Sequence, residues 1–125
     1  MFHQTIKSLL ASSVDSVVSN ISEYTVNPQK DLTRKKKLPA DKLISFMISE
    51  GSSSTKNELL DFFDMDVLAP TTSAFNQQRA KLKPDALEAV FNNFNASVSS
   101  IEKPSEYRFL AADGSTFTFF CKPSF

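Results

Sequence analysis

The sequence holds a single cysteine, Cys121, and a single histidine, His3. One cysteine forms no intramolecular disulfide, and the two residues together cannot supply four protein ligands to zinc, so a disulfide scaffold and a zinc finger are both excluded. With 2 Gly and 6 Pro beside 41% hydrophobic residues, the composition is neither collagen-like nor that of an elastic linker or a wholly disordered chain. No apolar run approaches the roughly 20 residues that cross a bilayer. The N-terminal stretch carries Asp15 and lacks a compact apolar block with a cleavage site, so the chain is expected to be soluble and cytoplasmic, with no membrane partner. Net charge is absent too: 14 Lys+Arg balance 14 Asp+Glu, and attraction to an acidic partner must come from local clustering. The length of 125 residues suits one ordinary domain or part of a larger protein, and excludes a multidomain enzyme.

What is present is helical periodicity. Ile6, Leu9, Leu10, Val14, Val17, Val18 and Ile21 recur at spacings of three and four, which predicts an amphipathic helix over Thr5–Glu23. Residues 26–37 lose that period, contain Pro28 and end in Arg34-Lys35-Lys36-Lys37, a basic arm whose cations repel one another unless they meet an anion. Pro39 and Asp41 suit the first turn of a second helix, Pro39–Glu50, carrying Leu43, Ile44, Met47 and Ile48, with Gly51 as a left-handed stop. Thr55-Lys56-Asn57-Glu58 matches a capping box and leads into Leu59, Leu60, Phe62 and Phe63, a short third helix. Thr71, Thr72 and Ser73 are N-cap candidates for a fourth, Ser73–Lys83, with Phe75, Arg79 and Leu82 on one side. Pro84 opens a fifth, Pro84–Ser99, striped by Leu87, Val90, Phe91, Phe94 and Val98. Phe62, Phe63, Phe75, Phe91 and Phe94, on apolar helix faces, are expected in the core rather than stacked on bases.

Beyond a polar loop with Pro104, Tyr107, Phe109 and Ala111 alternate with their neighbours up to Asp113-Gly114-Ser115, and Thr116-Phe117-Thr118-Phe119-Phe120 is β-branched and aromatic. A β-hairpin should follow the five helices. A lone hairpin is marginal in water, so the chain reads as the front part of a longer protein.

The fourth helix concentrates the polar chemistry. Asn76, Gln77, Gln78, Arg79, Lys81 and Lys83 fall within 73–83, which holds three cations and no acid, whereas 56–66 holds one cation and four acids. Asn and Gln can pair bidentately with adenine, Arg with guanine, and Lys neutralises phosphate, while preceding helices brace such a reader across the backbone. Gln78 and Arg79 are the first choices for base contacts. The same residues also favour the solvated face of an ordinary helical bundle, and both readings stay open at this point. Arg34, Lys35, Lys36 and Lys37 could add a salt-dependent phosphate term, or form a solvated linker. Asp113, after an apolar strand and before Gly114, could project a carboxylate toward Mg²⁺, or serve only as a turn residue. His3 lies near the start without acidic or cysteine neighbours and Cys121 lies near the end, and neither carries an assigned role; Asn20-Ile21-Ser22 and Asn95-Ala96-Ser97 match the glycosylation pattern by chance within helices.

These pieces occur in a particular order: Leu32-Thr33-Arg34-Lys35-Lys36-Lys37-Leu38-Pro39, then Glu58-Leu59-Leu60-Asp61-Phe62-Phe63, then Ser73-Ala74-Phe75-Asn76-Gln77-Gln78-Arg79-Ala80-Lys81-Leu82-Lys83-Pro84, then Leu110-Ala111-Ala112-Asp113-Gly114-Ser115. Across about residues 30–120 the sequence resembles the N-terminal part of bacterial insertion-sequence transposases of the DDE class, insertion-sequence-four type. The resemblance implies a helical region that binds terminal inverted repeats in double-stranded DNA, followed by an RNase H-like domain. In that domain Asp, Asp and Glu hold two Mg²⁺ ions for strand cleavage and transfer, within a complex that can contain a homodimer. Asp113 takes the position of the first catalytic aspartate, at the end of the first strand. No Asp or Glu follows it before Phe125, so the metal site is expected to be incomplete, with no cofactor bound and no cleavage by this polypeptide alone.

The expected architecture is mainly α: an N-terminal helix and basic arm over 1–38, a helical DNA-binding domain with a helix-turn-helix-like unit over 39–100, and the first β-hairpin of the RNase H-like domain over 105–125. A stand-alone DNA-binding regulator and a helical protein-interaction module are the competing expectations.

Overall fold

Amphipathic periodicity of this strength builds helices, and the computed structural model, which describes residues 2–33, 38–101 and 111–116, is mainly helical. Helix α1 spans Phe2–Ser19 and buries Val14 and Val17. Ser13 is buried beside them, and its hydroxyl donates to the Leu9 carbonyl at 2.8 Å, so no polar group is stranded. The expected helix ran to Glu23, but α1 ends at Ser19 and a 3₁₀ helix follows at Ile21–Tyr24. Asn20 causes the break. Its backbone N–H bonds the Val17 carbonyl at 3.1 Å and its side-chain amide bonds that of Ser16 at 3.4 Å, competing with continuation of the ladder.

Helix α2 spans Ala40–Ser49 behind Pro39, whose carbonyl accepts from Leu43 N–H at 2.9 Å. Its buried residues are Ala40, Leu43, Ile44 and Phe46; Ile48, expected inside, is exposed. The buried arc turns toward Phe46 because α2 is covered on two sides, by α1 and by the phenylalanines of the next two helices. Gly51 does not act as a left-handed stop: no described glycine has positive φ, and α2 ends through an extended Glu50.

Helix α3 spans Thr55–Phe62, and its cap lies one residue earlier than the motif suggested. Ser54 Oγ accepts from Asn57 N–H at 3.4 Å, while the Glu58 carboxylate accepts from Ser53 N–H at 3.0 Å. The reciprocal logic of a capping box survives in the shifted register. At its other end Met65 N–H reaches the Leu60 carbonyl at 2.7 Å and Asp64 N–H that of Asp61 at 3.2 Å, with Asp64 (φ 52°) and Met65 (φ 58°) both left-handed. This is the Schellman pattern made without glycine.

Helix α4 spans Thr72–Arg79 and is capped by Thr71, whose hydroxyl accepts from Ala74 N–H at 3.1 Å. Helix α5 spans Asp85–Ile101, with Asp85 and Glu88 in the first turn, where carboxylates complement the helix dipole. It packs along α1 and buries Ala86 and Val90; Phe91, expected in the stripe, is 64% exposed because α1 covers only the Ala86–Val90 side.

One core joins these helices: Val14, Val17, Leu38, Leu43, Ile44, Phe46, Leu59, Phe75, Leu82, Ala86 and Val90. At its centre the Phe46 ring meets Phe75 edge-on at 4.9 Å and Phe62 at 5.5 Å, the T-shaped geometry that aromatic quadrupoles favour. Among the described residues no strand forms; a single antiparallel bridge pairs Thr25 with Leu82. No helix among them is long and apolar enough to cross a membrane. Of the expected hairpin, residues 107–110 and 117–120 lie outside the described residues, as does Cys121, and the described residues 111–116 form no strand.

Candidate nucleic-acid interface

Phe75 fixes how α4 is turned. It is 1% exposed, so the opposite side of the helix, one turn up and down, must face solvent. That side carries Ser73, Asn76, Gln77 and Ala80, all exposed. Asn76 and Gln77 are thus the outward amides. Gln78 and Arg79, the first choices from sequence, sit on the two flanks: Gln78 is half-buried, and the Arg79 guanidinium lies 5.5 Å from the Phe75 ring centroid. A helical wheel centred on Phe75, which shares its side with Arg79 and Leu82, would have separated the two pairs; the sequence-based choice weighed base-pairing chemistry instead.

The connection from α3 to α4 spans residues 63–71, longer than the three or four residues of a helix-turn-helix turn. It is folded locally: Leu68 N–H donates to Asp66 Oδ1 at 2.9 Å and Ala69 N–H to the Asp66 carbonyl at 3.0 Å. Met65, Val67 and Leu68 are exposed on it, Val67 by 99%.

Beyond α4 the chain is stitched to the residues after α1. Val26 N–H donates to the Lys81 carbonyl at 3.0 Å and Lys83 N–H to that of Tyr24 at 2.7 Å, around fully buried Thr25. The loop that follows is closed by Asp31, whose Oδ2 accepts from the Asn27 backbone N–H at 3.0 Å and its side-chain amide at 3.3 Å. A depression of about 370 Å³ opens between this loop and the end of α4, lined in part by Asn27, Lys30, Thr33, Gln78 and Lys81. Sequence reading missed Lys30 and this depression; the only local sign was the pair Asn27 and Asp31 around Pro28, a turn-forming set. Arg34, Lys35, Lys36 and Lys37 lie outside the described residues, but Thr33 and Leu38 on either side of them both line the depression. The side chain of Lys83, whose backbone N–H makes the bond to Tyr24, is exposed.

Asp113 is exposed, and its Oδ1 accepts from the neighbouring Gly114 N–H at 2.8 Å. No group of three or more His, Cys, Asp and Glu side chains that could hold a metal forms among the described residues. Mg²⁺ needs several oxygen ligands in near-octahedral array, which these residues do not assemble, so no two-metal step follows from them.

Comparison with protein-family models, with curated proteins and with solved structures returned no match to this chain.

Proposed function

We propose that this chain binds double-stranded DNA through the outward side of α4, with Asn76 and Gln77 against base edges and Lys81 and Lys83 on the phosphate backbone. The observation that carries the reading is the turn imposed by Phe75, which directs two adjacent amides outward from α4, in a stretch from Ser73 to Lys83 that contains no acid. Outward amides can make bidentate pairs with adenine, and flanking lysines supply the sequence-independent term. Helices α2 to α4 act in this reading as a helix-turn-helix-like unit with an extended turn, Phe46 and Phe75 locking its helices together. Arg34 to Lys37 add phosphate contacts.

With the resemblance of residues 30–120 to insertion-sequence transposases, the DNA is the terminal inverted repeat of such an element. Asp113 is then the first carboxylate of an RNase H-like site that needs further ligands. The test is binding of the chain to duplexes carrying the repeats that flank its gene, against shuffled duplexes. Tighter binding to the repeats supports both halves of the proposal, equal binding supports a DNA binder without that ancestry, and no binding at low salt removes it.

A second reading has its own observation. Met65, Val67 and Leu68 form an exposed apolar tip beside the start of α4, which suits a helical protein-interaction module, with α4 merely solvated.

A further inference from the structure

We propose that the depression between the Asn27–Thr33 loop and the end of α4 receives one backbone phosphate of duplex DNA, with Lys30 and Lys81 as its cationic ligands and Gln78 as a neutral donor. This rests on the reading of α4 as the DNA-facing helix.

The wall is built for an anion. It contains Lys30 and Lys81 beside Asn27, Thr33 and Gln78, with Asp31 the one carboxylate among the described residues that line it. That carboxylate is turned inward: Asp31 is 6% exposed, and its Oδ2 already accepts two hydrogen bonds from Asn27. Its charge closes the loop. Lys81 is half-buried as a residue, and a phosphate oxygen reaching its ammonium would make a charge-assisted hydrogen bond. At about 370 Å³ the depression has room for roughly a dozen waters, enough for a phosphodiester group and its hydration.

The backbone segments that carry the ligands are tied together before any DNA arrives. Val26 N–H bonds the carbonyl of Lys81 itself, so the loop bearing Lys30 is tied to the backbone of the second lysine. Lys30 N–H and Asp31 N–H both donate to the Asn27 carbonyl, at 3.0 and 2.9 Å. Leu32 holds a left-handed φ of 55° while packing against the core, a strained conformation the surroundings must enforce. Gln78 and Lys81 lie one turn apart, and Lys81 N–H continues that turn to the Gln78 carbonyl at 3.1 Å. Phosphate contacts of this kind set the register of a protein on the duplex without reading sequence. Gln78 therefore belongs to the backbone grip, and Asn76 and Gln77 to the base-reading side.

The experiment measures affinity of the full chain for a short mixed-sequence duplex between about 50 and 200 mM salt. It compares the unaltered chain with Lys30→Gln, Lys81→Gln, the double variant, and Lys7→Gln on exposed α1 as a control. Because the two lysines share one phosphate, the double variant should flatten the slope of log K against log salt by about 0.9 in total, not twice that. Its preference among sequences should be unchanged, and Lys7→Gln should leave the slope alone. An unaltered slope in the double variant overturns the phosphate assignment while leaving DNA binding standing, and so does an equal change with Lys7→Gln. No duplex binding by the unaltered chain overturns both. Inorganic phosphate shifting the Lys30 and Lys81 amide resonances without any duplex binding would make this a free-phosphate site and overturn the DNA assignment. Lys30 is exposed, so Lys30→Gln carries the test should Lys81→Gln disturb folding.

Discussion

The guanidinium of Arg79 lies 5.5 Å from the centroid of the Phe75 ring, one helical turn before it in α4. An arginine so placed is held by the ring's negative face and screens the buried aromatic from water. Arg79→Ala should therefore lower stability by about 0.5 to 1 kcal/mol, the range for an exposed cation–π pair. A urea unfolding midpoint shifted down at unchanged slope would register it. Lost discrimination between DNA sequences with no loss of stability would instead put the guanidinium on a guanine.

Asn76 and Gln77 face outward together, so Asn76→Ala and Gln77→Ala should each reduce discrimination between the preferred duplex and a shuffled one by about 1 to 3 kcal/mol. Both side chains are exposed, and thermal unfolding should barely move. Equal losses on both duplexes would reassign these amides to the backbone.

Asp64 ends α3 with φ 52° where glycine would be unstrained. Asp64→Gly should stabilise the fold by about 0.5 to 1 kcal/mol, relief of the left-handed penalty outweighing the added chain entropy. A lower melting temperature would show that the aspartate side chain contributes more than its backbone strain costs.

Phe46 touches both Phe62 and Phe75 and is 1% exposed. Truncation to alanine removes the contact that α2 shares with both later helices, and should cost about 3 to 5 kcal/mol. That is a large part of what a small domain has. Loss of the cooperative transition in circular dichroism is the expected reading; a native-like melt would mean the neighbouring rings close the gap.

The helices were legible because each carries its own period, and α1 to α5 lie close to where the apolar spacing puts them. Their ends and faces were less so, for reasons that spacing does not contain. Asn20 stops α1 through side-chain competition, Ser54 takes the cap that Thr55 seemed to hold, and Ile48 and Phe91 fall outside the area their neighbours cover. The depression at Lys30 and Lys81 was invisible for a different cause. Its two walls are far apart in sequence and are joined by the Val26–Lys81 and Lys83–Tyr24 bonds. The amide-rich character of α4 could be read directly; which two amides face out depended on Phe75 alone being buried within that helix.

The pairing of the first helix with the last has a consequence for how the chain is made. Val14 and Val17 leave the ribosome early, yet part of the surface that covers them is on α5. At about 5 to 20 residues per second, Val90 follows roughly 70 residues and 4 to 15 seconds later. Through that interval the part of the α1 stripe that faces α5 stays uncovered. The nascent chain is then a ready client for chaperones that hold such stripes, and release should track the synthesis of α5.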